Sequence, residues 1–261
     1  IDQPNVADEA FTPQGVKQWG SQRYHVKLQR LAQGLMAVSQ GRPPEIMAFA
    51  EVENAEVLVD LLRKLPLSWS HWILHQDSPD ARGIDVAVMY DPHRIKVLQV
   101  AWLQPKGSPS RDAVQVNFYC RKGGDSLTLL FLHLPSQRDP RPHRRLHAMQ
   151  SILSQCKQVD CLVGDMNEHP QGPMGQWLQG EGVHLCDAKG PPGTYIYRNR
   201  WSWLDHVWLV DQSLWQANVR HIPFGLKKTS QRMIIHRSFQ GRRYLAGSSD
   251  HLPVSIWLKP L

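Results

Sequence analysis

The sequence contains few cysteines and no long apolar run. Its 261 residues include four cysteines that form neither a CxxC pair nor the spacing of a zinc site: Cys120, Cys156, Cys161 and Cys186. We therefore expect free thiols rather than disulfides. No stretch of 18 or more uncharged apolar residues occurs, which excludes a membrane-spanning helix.

The chain also lacks the composition of a disordered or repetitive protein. Hydrophobic residues make up 41% of it and charged residues 20%, proportions that are ordinary for a globular protein. No repeat or linker divides the sequence, so we expect one domain over residues 1–261. It begins with Ile1 rather than Met, which indicates a trimmed N-terminus. We expect a soluble monomer, either cytoplasmic or exported.

The charge balance is positive. The net charge of +7 favours polyanionic partners such as nucleic acids, phosphoinositides or phosphorylated metabolites. A basic surface that is merely solvated is an equal alternative. Two basic stretches carry much of this charge, "SQRDPRPHRRLH" and "GLKKTSQRMIIHRSFQGRR".

Hydrophobic periodicity predicts strands with helices between some of them. Apolar residues at three- and four-residue steps predict helices over 21–39, through "AEVLVDLLRKL", and from near Pro142 to Cys156. Strand-like runs are separated by Pro, Gly, Asp and Ser clusters; they are "EIMAFAEVEN", "HWILHQ", "IDVAVMY", "IKVLQVAWLQ", "VQVNFYC", "LTLLFLHL", "VDCLVGD", "TYIY", "WLDHVWLV", "ANVRHI" and "LPVSIWL". This order predicts an α/β protein with two packed sheets and outer helices.

Acidic residues, amides and histidines recur at the ends of these strands. They are Glu51, His133, Asp165, Asn167, Asp205, Asp250 and His251. Asp165 and Asn167 are two residues apart, so in an extended chain they can reach one target. A converging set of carboxylates indicates a hard divalent cation, Mg²⁺ or Mn²⁺, rather than zinc. Taken singly, each residue has an ordinary structural alternative, such as a turn, a cap or a core histidine.

Five motifs in order, "FAEVEN", "HLPS", "VGDMN", "WLDHV" and "SSDHLPV", resemble the endonuclease/exonuclease/phosphatase superfamily. The resemblance covers nearly the whole chain, and the sequence is similar to a bacterial branch of this superfamily. It implies a four-layer α/β/β/α sandwich of two mixed sheets flanked by helices, and metal-dependent hydrolysis of phosphoesters. It leaves the substrate open between DNA, RNA, nucleotides, inositol phosphates and lipids.

The resemblance also implies roles for the strand-end residues. Glu51 is expected to bind the metal, with Asp250 bound to it directly or through water. Asp165 and Asn167 are expected to position water and a phosphate oxygen. His133 would contact the phosphate and protonate the leaving group, and Asp205 would orient His251. Either Asp165 or His251 can be the base, and one or two metal ions remain possible.

Other residues are weaker candidates for substrate contact. Arg82 and Asp85 could face the site, although Asp85 is equally a paired strand residue. Arg138 and the arginines that follow it form either a phosphate-facing rim or, slightly favoured, a solvated helix start. Trp203 could stack on a base or simply pack. Asn54 is expected to cap a helix.

The functional expectation is a nuclease that cleaves phosphodiesters by metal-assisted attack of water. The alternatives are a phosphatase acting on small phosphorylated molecules or lipids, and a non-catalytic polyanion-binding module. The superfamily begins with a strand that bears a site Asn, and Asn5 lies in a polar stretch unsuited to that role. We therefore expect this strand to lie upstream of Ile1.

Overall fold

The computed structural model describes residues 7, 9–106, 110–137, 141, 143–230 and 232–261. The helices in these ranges are a 3₁₀ turn (Glu9–Phe11), α1 (Ser21–Val38), α2 (Ala55–Leu62), α3 (Arg144–Leu153) and α4 (Pro173–Gly180). The longer strands are β1 (Ile46–Val52), β3 (Asp85–Tyr90), β4 (Ile95–Leu103), β5 (Ala113–Cys120), β6 (Ser126–His133), β7 (Cys161–Asp165), β12 (Asp205–Leu209), β13 (Trp215–His221) and β18 (Val254–Pro260). The shorter strands are β2 (Trp72–Leu74), β8 (His184–Leu185), β9 (Ala188–Lys189), β10 (Tyr195–Tyr197), β11 (Arg200–Ser202), β14 (Leu226–Lys228), β15 (Met233–Ile235), β16 (Phe239–Gln240) and β17 (Arg243–Tyr244).

The main sheet has six strands in the order β4-β5-β6-β7-β12-β8. Neighbouring strands in it are antiparallel except for the parallel pair β6 and β7. The opposite layer is formed by two three-stranded sheets, β1-β3-β2 and β18-β13-β9. Within the described residues, β1 and β18 are edge strands of these pieces. The strand expected upstream of Ile1 lies outside the chain and stays a prediction, and Asn5 lies outside the described residues.

Three apolar cores separate four layers. Residues from α1 and α2 pack on β1 and β3 in the first core, represented by Leu28, Leu58 and Met89. The second core lies between the sheets and joins β3, β5, β6 and β13 through side chains such as Val88 and Phe118. The third joins α3 and α4 to β6, β7 and β12. This is the predicted four-layer α/β/β/α sandwich, and burial of three apolar layers stabilises it.

The predicted helices and strands occur close to their expected positions. Asn54 is the N-cap of α2 and its side chain accepts a hydrogen bond from Val57 N at 3.1 Å, which confirms the cap. The third helix begins at Arg144 within the described residues, and Pro142 lies outside them. The prediction that Cys156 lies on the third helix was wrong, because α3 ends at Leu153 and Cys156 follows the turn after it.

Helix α4 was missed because its sequence, "PMGQWLQG", is short and contains two glycines. Pro173 occupies its first turn, where a missing N–H costs least. Gly175 is required there: an added Cβ would lie 1.9 Å from the Pro170 carbonyl oxygen. The helix therefore packs too closely on the preceding loop for any larger residue at that position.

The cysteines meet a further expectation. All four cysteines are free, with Cys161 and Cys186 buried, as the sequence predicts. Among the described residues, no helix is both long and apolar enough to cross a membrane.

Candidate active site

Asp165 and Asn167 lie where β7 ends, and a sharp backbone turn holds them. Gly164 has φ +146°, and an added Cβ would lie 1.9 Å from the Leu132 carbonyl oxygen. Asn167 is left-handed, with φ 51°, and its backbone N–H donates to Asp165 Oδ1 at 2.8 Å. Its side-chain amide donates to Leu134 O at 3.0 Å and to Asp165 Oδ2 at 3.3 Å. In this arrangement the amide of Asn167 fixes the carboxylate of Asp165.

The paired strands bring His133 and Asp205 to the same point. Asp165 is opposite His133 in the parallel β6–β7 register and opposite Asp205 in the antiparallel β7–β12 register. His133 Nε2 lies 3.6 Å from Asp165 Oδ2. Asp165, at the end of the central strand β7, thus has a candidate functional side chain beside it on each neighbouring strand.

Asp205 and His251 form a hydrogen-bonded pair. His251 Nδ1 donates to Asp205 Oδ2 at 2.7 Å, which confirms the expected proximity of the two side chains. Backbone pairing between Tyr195 and His251 holds the histidine, and their rings lie 5.1 Å apart. The backbone N–H of Asp205 donates to Thr194 Oγ1 at 3.2 Å. This network fixes the orientation of the imidazole.

Glu51 reaches the site through an irregularity in β1. The β1–β3 register shifts between Phe49 and Val52, and Glu51 adopts a left-handed φ of 61°. Such a conformation in a non-glycine residue stores backbone strain, which is typical of functional positions. The Glu51 side chain is exposed and its charge acts on Asp165 and Arg111. It makes no hydrogen bond within the described part of the chain.

Asp250 is partly buried beside His251, and its negative charge contributes to raising the pKa of that histidine.

Burial and neighbouring charges set the protonation states of the site. Burial raises the pKa of Asp165 to about 7, and the negative charge of Asp205 adds to the effect. Burial lowers the pKa of His251, but the carboxylates of Asp205, Asp165 and Asp250 outweigh it and raise the pKa to about 10. Burial also raises the pKa of Asp205, which the charge and hydrogen bond of His251 reverse, so that it is lowered overall. His251 is therefore an imidazolium paired with Asp205 near neutral pH.

The pKa of His133 is lowered, in contrast to that of His251. Burial lowers its pKa well below the ordinary value, and the positive charges of Arg111, Arg82 and His251 lower it further. The imidazole is therefore neutral near pH 7. A neutral imidazole is a weaker proton donor than an imidazolium, and protonation of the leaving group by His133 stays a prediction.

Ligand atoms of Asp165, Asp205 and His251 lie within 4.8 Å of one another, a spacing that could hold a metal ion. A second group of this kind consists of His75, Asp77 and Asp85. Asp85 is buried there, accepting hydrogen bonds from His75 Nε2 at 3.2 Å and from Ser78 N at 2.9 Å. Asp85 is therefore a paired residue at the start of β3, and its role as a substrate contact stays a prediction.

Trp203 is partly buried and packs against neighbouring side chains. Its indole N–H donates to the Asp205 carbonyl oxygen at 2.9 Å, and its ring makes edge contacts with His206 and His221. Trp203 therefore holds the backbone of Asp205 through this hydrogen bond, and base stacking by Trp203 stays a prediction.

The arginines of the first basic stretch are not a simple solvated helix start. Arg145 Nε pairs with Glu168 Oε1 at 3.1 Å, and burial lowers the pKa of Arg144. For Arg145 the slightly favoured interpretation of a solvated side chain does not hold, and the phosphate-facing rim stays a prediction. Arg138 lies outside the described residues.

Sequence reasoning did not single out two residues around the site, Arg111 and Tyr195. Arg111 is buried, and the negative charges of Glu51 and Asp165 counteract the lowering of its pKa by burial. The Tyr195 ring contacts the His251 ring in a tilted arrangement, and the guanidinium of Arg237, from the second basic stretch, lies 5.4 Å from the Tyr195 ring. Tyr195 lies in the predicted strand "TYIY", whereas Arg111 follows the polar stretch "GSPS" and carries no periodic signal.

Comparisons with known proteins agree with this geometry. The model of the Endonuclease/Exonuclease/phosphatase family matches residues 1–260. A search of curated protein sequences returned no match.

Solved structures with a similar fold include three of known description. The mannosyl-6-phosphatase Bt3783 of Bacteroides thetaiotaomicron has a TM-score of 0.63 and 15% identity, covering 90% of this chain and 91% of that one. The human Nocturnin catalytic domain with bound sulfate has a TM-score of 0.61 and 14% identity, with coverages of 93% and 87%. D. rerio TDP2 complexed with a single-strand DNA product has a TM-score of 0.60 and 15% identity, with coverages of 91% and 93%. At these identities the similarity shows the fold.

Proposed function

Because the chain belongs to the endonuclease/exonuclease/phosphatase family, whose members are phosphoester hydrolases, we propose that it hydrolyses phosphodiesters as a divalent-metal-dependent nuclease. The convergence of Asp165, Asp205 and His251 within 4.8 Å carries this proposal. We further propose that residues 1–261 act as one domain and as a monomer.

The donor set suits Mg²⁺ or Mn²⁺. Glu51 and Asp250 would hold the cation, since their carboxylates make no hydrogen bond within the described residues and both charges act on the site. The raised pKa of Asp165 indicates a local excess of buried negative charge, which a cation would relieve. Oxygen donors of this kind suit hard divalent ions. When bound, the ion would neutralise charge on the phosphoryl oxygens.

Asp165 is the proposed general base. Its pKa of about 7 lies near neutral pH, where a carboxylate both stays substantially ionised and accepts a proton effectively. The hydrogen bonds from Asn167 hold the carboxylate still while it takes a proton from the attacking water. His133, whose imidazole is neutral, lies beside the Asp165 carboxylate and positions it.

His251 is the proposed phosphate contact and general acid. As an imidazolium it carries positive charge toward the scissile phosphate, and its Nδ1–H is held by Asp205. The Nε2–H remains to donate to a phosphate oxygen or to the leaving oxygen as the P–O bond breaks. Each such proton transfer contributes about 10²–10⁴-fold to the rate.

Positive charge supports the preference for a nuclease. The net charge is +7, and Arg237 lies over Tyr195 next to His251, with Nη2 donating to Ile196 O at 2.8 Å. This places a held guanidinium from the second basic stretch at the edge of the site. A polynucleotide offers phosphates to such groups on either side of the scissile bond.

A divalent-ion titration with bis-p-nitrophenyl phosphate separates a hydrolase from a polyanion-binding module, because only a hydrolase releases nitrophenolate. A panel of plasmid, single-stranded DNA, abasic DNA, RNA, nucleotides and inositol phosphates then identifies the substrate. Binding of a nucleic acid should weaken steeply with salt, since counterions are released. A flat salt response with DNA and RNA would contradict the nuclease and favour a phosphatase.

A further inference from the structure

A two-stranded hairpin, formed by β10 and β11, begins at the candidate active site. Its base is fixed by hydrogen bonds: Thr194 N–H donates to Ser202 O at 3.0 Å, and Leu252 N–H donates to Thr194 O at 2.7 Å. The next residue of the hairpin, Tyr195, forms a backbone bridge with His251. The first residues of the hairpin are therefore bonded to the segment that carries His251.

One face of the hairpin is packed on the protein. Ile196 and Trp201 are cross-strand partners, and both belong to a small apolar cluster that contains Ile235. Successive residues of a strand point to opposite faces. Packing of Ile196 and Trp201 therefore turns the residues on either side of Ile196, Tyr195 and Tyr197, to the outward face.

The outward face of the hairpin continues the row of side chains that contains His251. Residues that are directly opposite each other in antiparallel strands have their side chains on the same face. His251, Tyr195 and Ser202 therefore share one row. Tyr197 and Arg200 form the next row, about 7 Å further along the hairpin. The surface of the candidate site thus extends from His251 along the hairpin.

Each tyrosine of the outward face lies against an arginine. The guanidinium of Arg237 lies 5.4 Å from the centre of the Tyr195 ring, and that of Arg198 lies 5.2 Å from the centre of the Tyr197 ring. Tyr197 is 54% exposed, and its cross-strand partner Arg200 is exposed as well. The outward face therefore repeats an aromatic ring with a cation at an interval of two residues.

The hairpin carries positive charge only. Residues 188–204 include Lys189, Arg198 and Arg200 and no aspartate or glutamate. Arg198 and Asn199 form the turn between the strands with φ of 47° and 65°, the two left-handed residues that a tight hairpin turn requires. Within the described residues, the side chains of Arg198 and Arg200 form no ion pair and no hydrogen bond. Both guanidinium groups are thus presented to solvent.

A repeated arrangement of rings and cations suits a ligand that is itself repeated. Each nucleotide of a single-stranded polynucleotide offers a base that can stack on an aromatic ring and a phosphate that can bind an arginine. In a duplex the faces of the bases are covered by neighbouring bases. A small phosphate ester bound at His251 would leave the row of Tyr197 and Arg200 without a ligand.

We propose that the outward face of the β10–β11 hairpin binds a single-stranded polynucleotide, whose scissile phosphate lies at His251. Because Arg198 lies over one face of the exposed Tyr197 ring, a base of the substrate stacks on the other face. Arg200 binds a phosphate of the same strand. This proposal rests on the proposed function and narrows its substrate to single-stranded DNA or RNA.

Binding of the full chain to labelled oligonucleotides tests the surface without turnover. Fluorescence anisotropy is measured in a chelator with oligothymidylate, oligouridylate, and an oligothymidylate–oligoadenylate duplex of the same length. The wild type should bind at least one of the single strands more tightly than the duplex. Comparison of the two single strands distinguishes DNA from RNA.

Variants of Tyr197 separate stacking from packing. Tyr197→Leu should weaken single-strand binding by about fivefold or more, the lower end of the range for one base stacked on an aromatic ring. Tyr197→Phe keeps the ring and should bind like the wild type. With Mn²⁺, Tyr197→Leu should lower kcat/KM for a long oligonucleotide and leave hydrolysis of bis-p-nitrophenyl phosphate unchanged.

A variant of Arg200 tests the phosphate contact. Arg200→Gln should reduce the slope of log affinity against log salt concentration by about 0.7, the value for one phosphate of a single strand. An unchanged slope would remove Arg200 from the surface.

Trp72→Leu is the matched control, because Trp72 is another exposed aromatic residue on a short strand, with 62% of its surface exposed. Trp72 pairs with Tyr90 at the last residue of β3, whereas Glu51 lies near the first residue of β3, Asp85. Trp72→Leu should leave the binding of every oligonucleotide unaffected.

Three results would overturn the surface: wild-type binding by Tyr197→Leu, equal binding of the duplex and both single strands, or an equal loss of activity in Tyr197→Leu on the oligonucleotide and on bis-p-nitrophenyl phosphate. Weakened single-strand binding by Tyr197→Leu, with no turnover of any substrate by the wild type, would support the surface and contradict the proposed function alone.

Discussion

Replacing Asp205 by Asn tests the pairing at the centre of the site. The change keeps the shape of the side chain but removes the charge that the 2.7 Å hydrogen bond brings to His251. The rise in the pKa of His251 from 6.5 to about 10 corresponds to roughly 5 kcal/mol in favour of the imidazolium, at about 1.4 kcal/mol per pKa unit. Asp205 is the first of the carboxylates that produce it, so the pKa should fall toward its ordinary value.

Turnover by the Asp205→Asn variant should fall together with the pKa of His251. Without the imidazolium, the phosphate loses a cationic partner and the leaving oxygen loses its proton donor, so kcat should drop by about 10²–10⁴-fold. The assay is hydrolysis of bis-p-nitrophenyl phosphate with Mn²⁺ from pH 5 to 10, alongside an NMR titration of the His251 ring. His251→Gln serves as the comparison, because the double variant should be little worse than either single one.

Stability provides an independent measurement. A histidine with a raised pKa in the folded state contributes stability that is fully present below pH 6.5 and is lost as pH rises through about 10. The free energy of unfolding of the wild type should therefore fall across this range by more than that of Asp205→Asn. If both proteins showed the same pH dependence, and the variant kept near-wild-type turnover, the pairing argument would be refuted.

Three further predictions concern the binding of the cation by Glu51, the backbone turn at Gly164 and the buried His206. Glu51→Gln should weaken Mn²⁺ binding in calorimetry while circular dichroism stays unchanged, and unaltered affinity would remove Glu51 from the metal site. Gly164→Ala should unfold at clearly lower urea, because the added Cβ meets the Leu132 carbonyl at 1.9 Å and φ is +146°; equal midpoints would contradict that geometry. Burial lowers the pKa of His206 to about 4, so stability should be full above pH 6.5 and decline by up to roughly 3 kcal/mol as pH falls through 4. His206→Asn should show a shallower decline in urea titrations, and an identical slope would refute this assignment.

The sequence predicted well what depends on local order along the chain. Apolar alternation located the long strands, and the side chains at their ends, such as Asp165 and Asp205, meet because the strands are neighbours in one sheet. Asn54 as a cap follows from residue type and position. These features need no knowledge of distant contacts.

The remaining features depend on contacts distant in sequence. The lowered pKa of His133 follows first from its burial and then from the charges of Arg111 and Arg82, which reach it from other parts of the chain. The strained φ of Glu51 follows from a register shift against β3. The sequence pattern did not predict helix α4, because tertiary packing, rather than helix propensity, stabilises a segment with two glycines. Periodicity carries none of this information.

The most direct measurement of the central claim is phosphodiester hydrolysis by the metal-free protein before and after addition of Mn²⁺ or Mg²⁺, with Asp165→Ala measured in parallel. The account predicts no turnover without a divalent ion, restoration when the ion is added, and a loss of orders of magnitude in Asp165→Ala, with its fold intact. Equal turnover in the presence of a chelator, or near-wild-type turnover by Asp165→Ala, would contradict it.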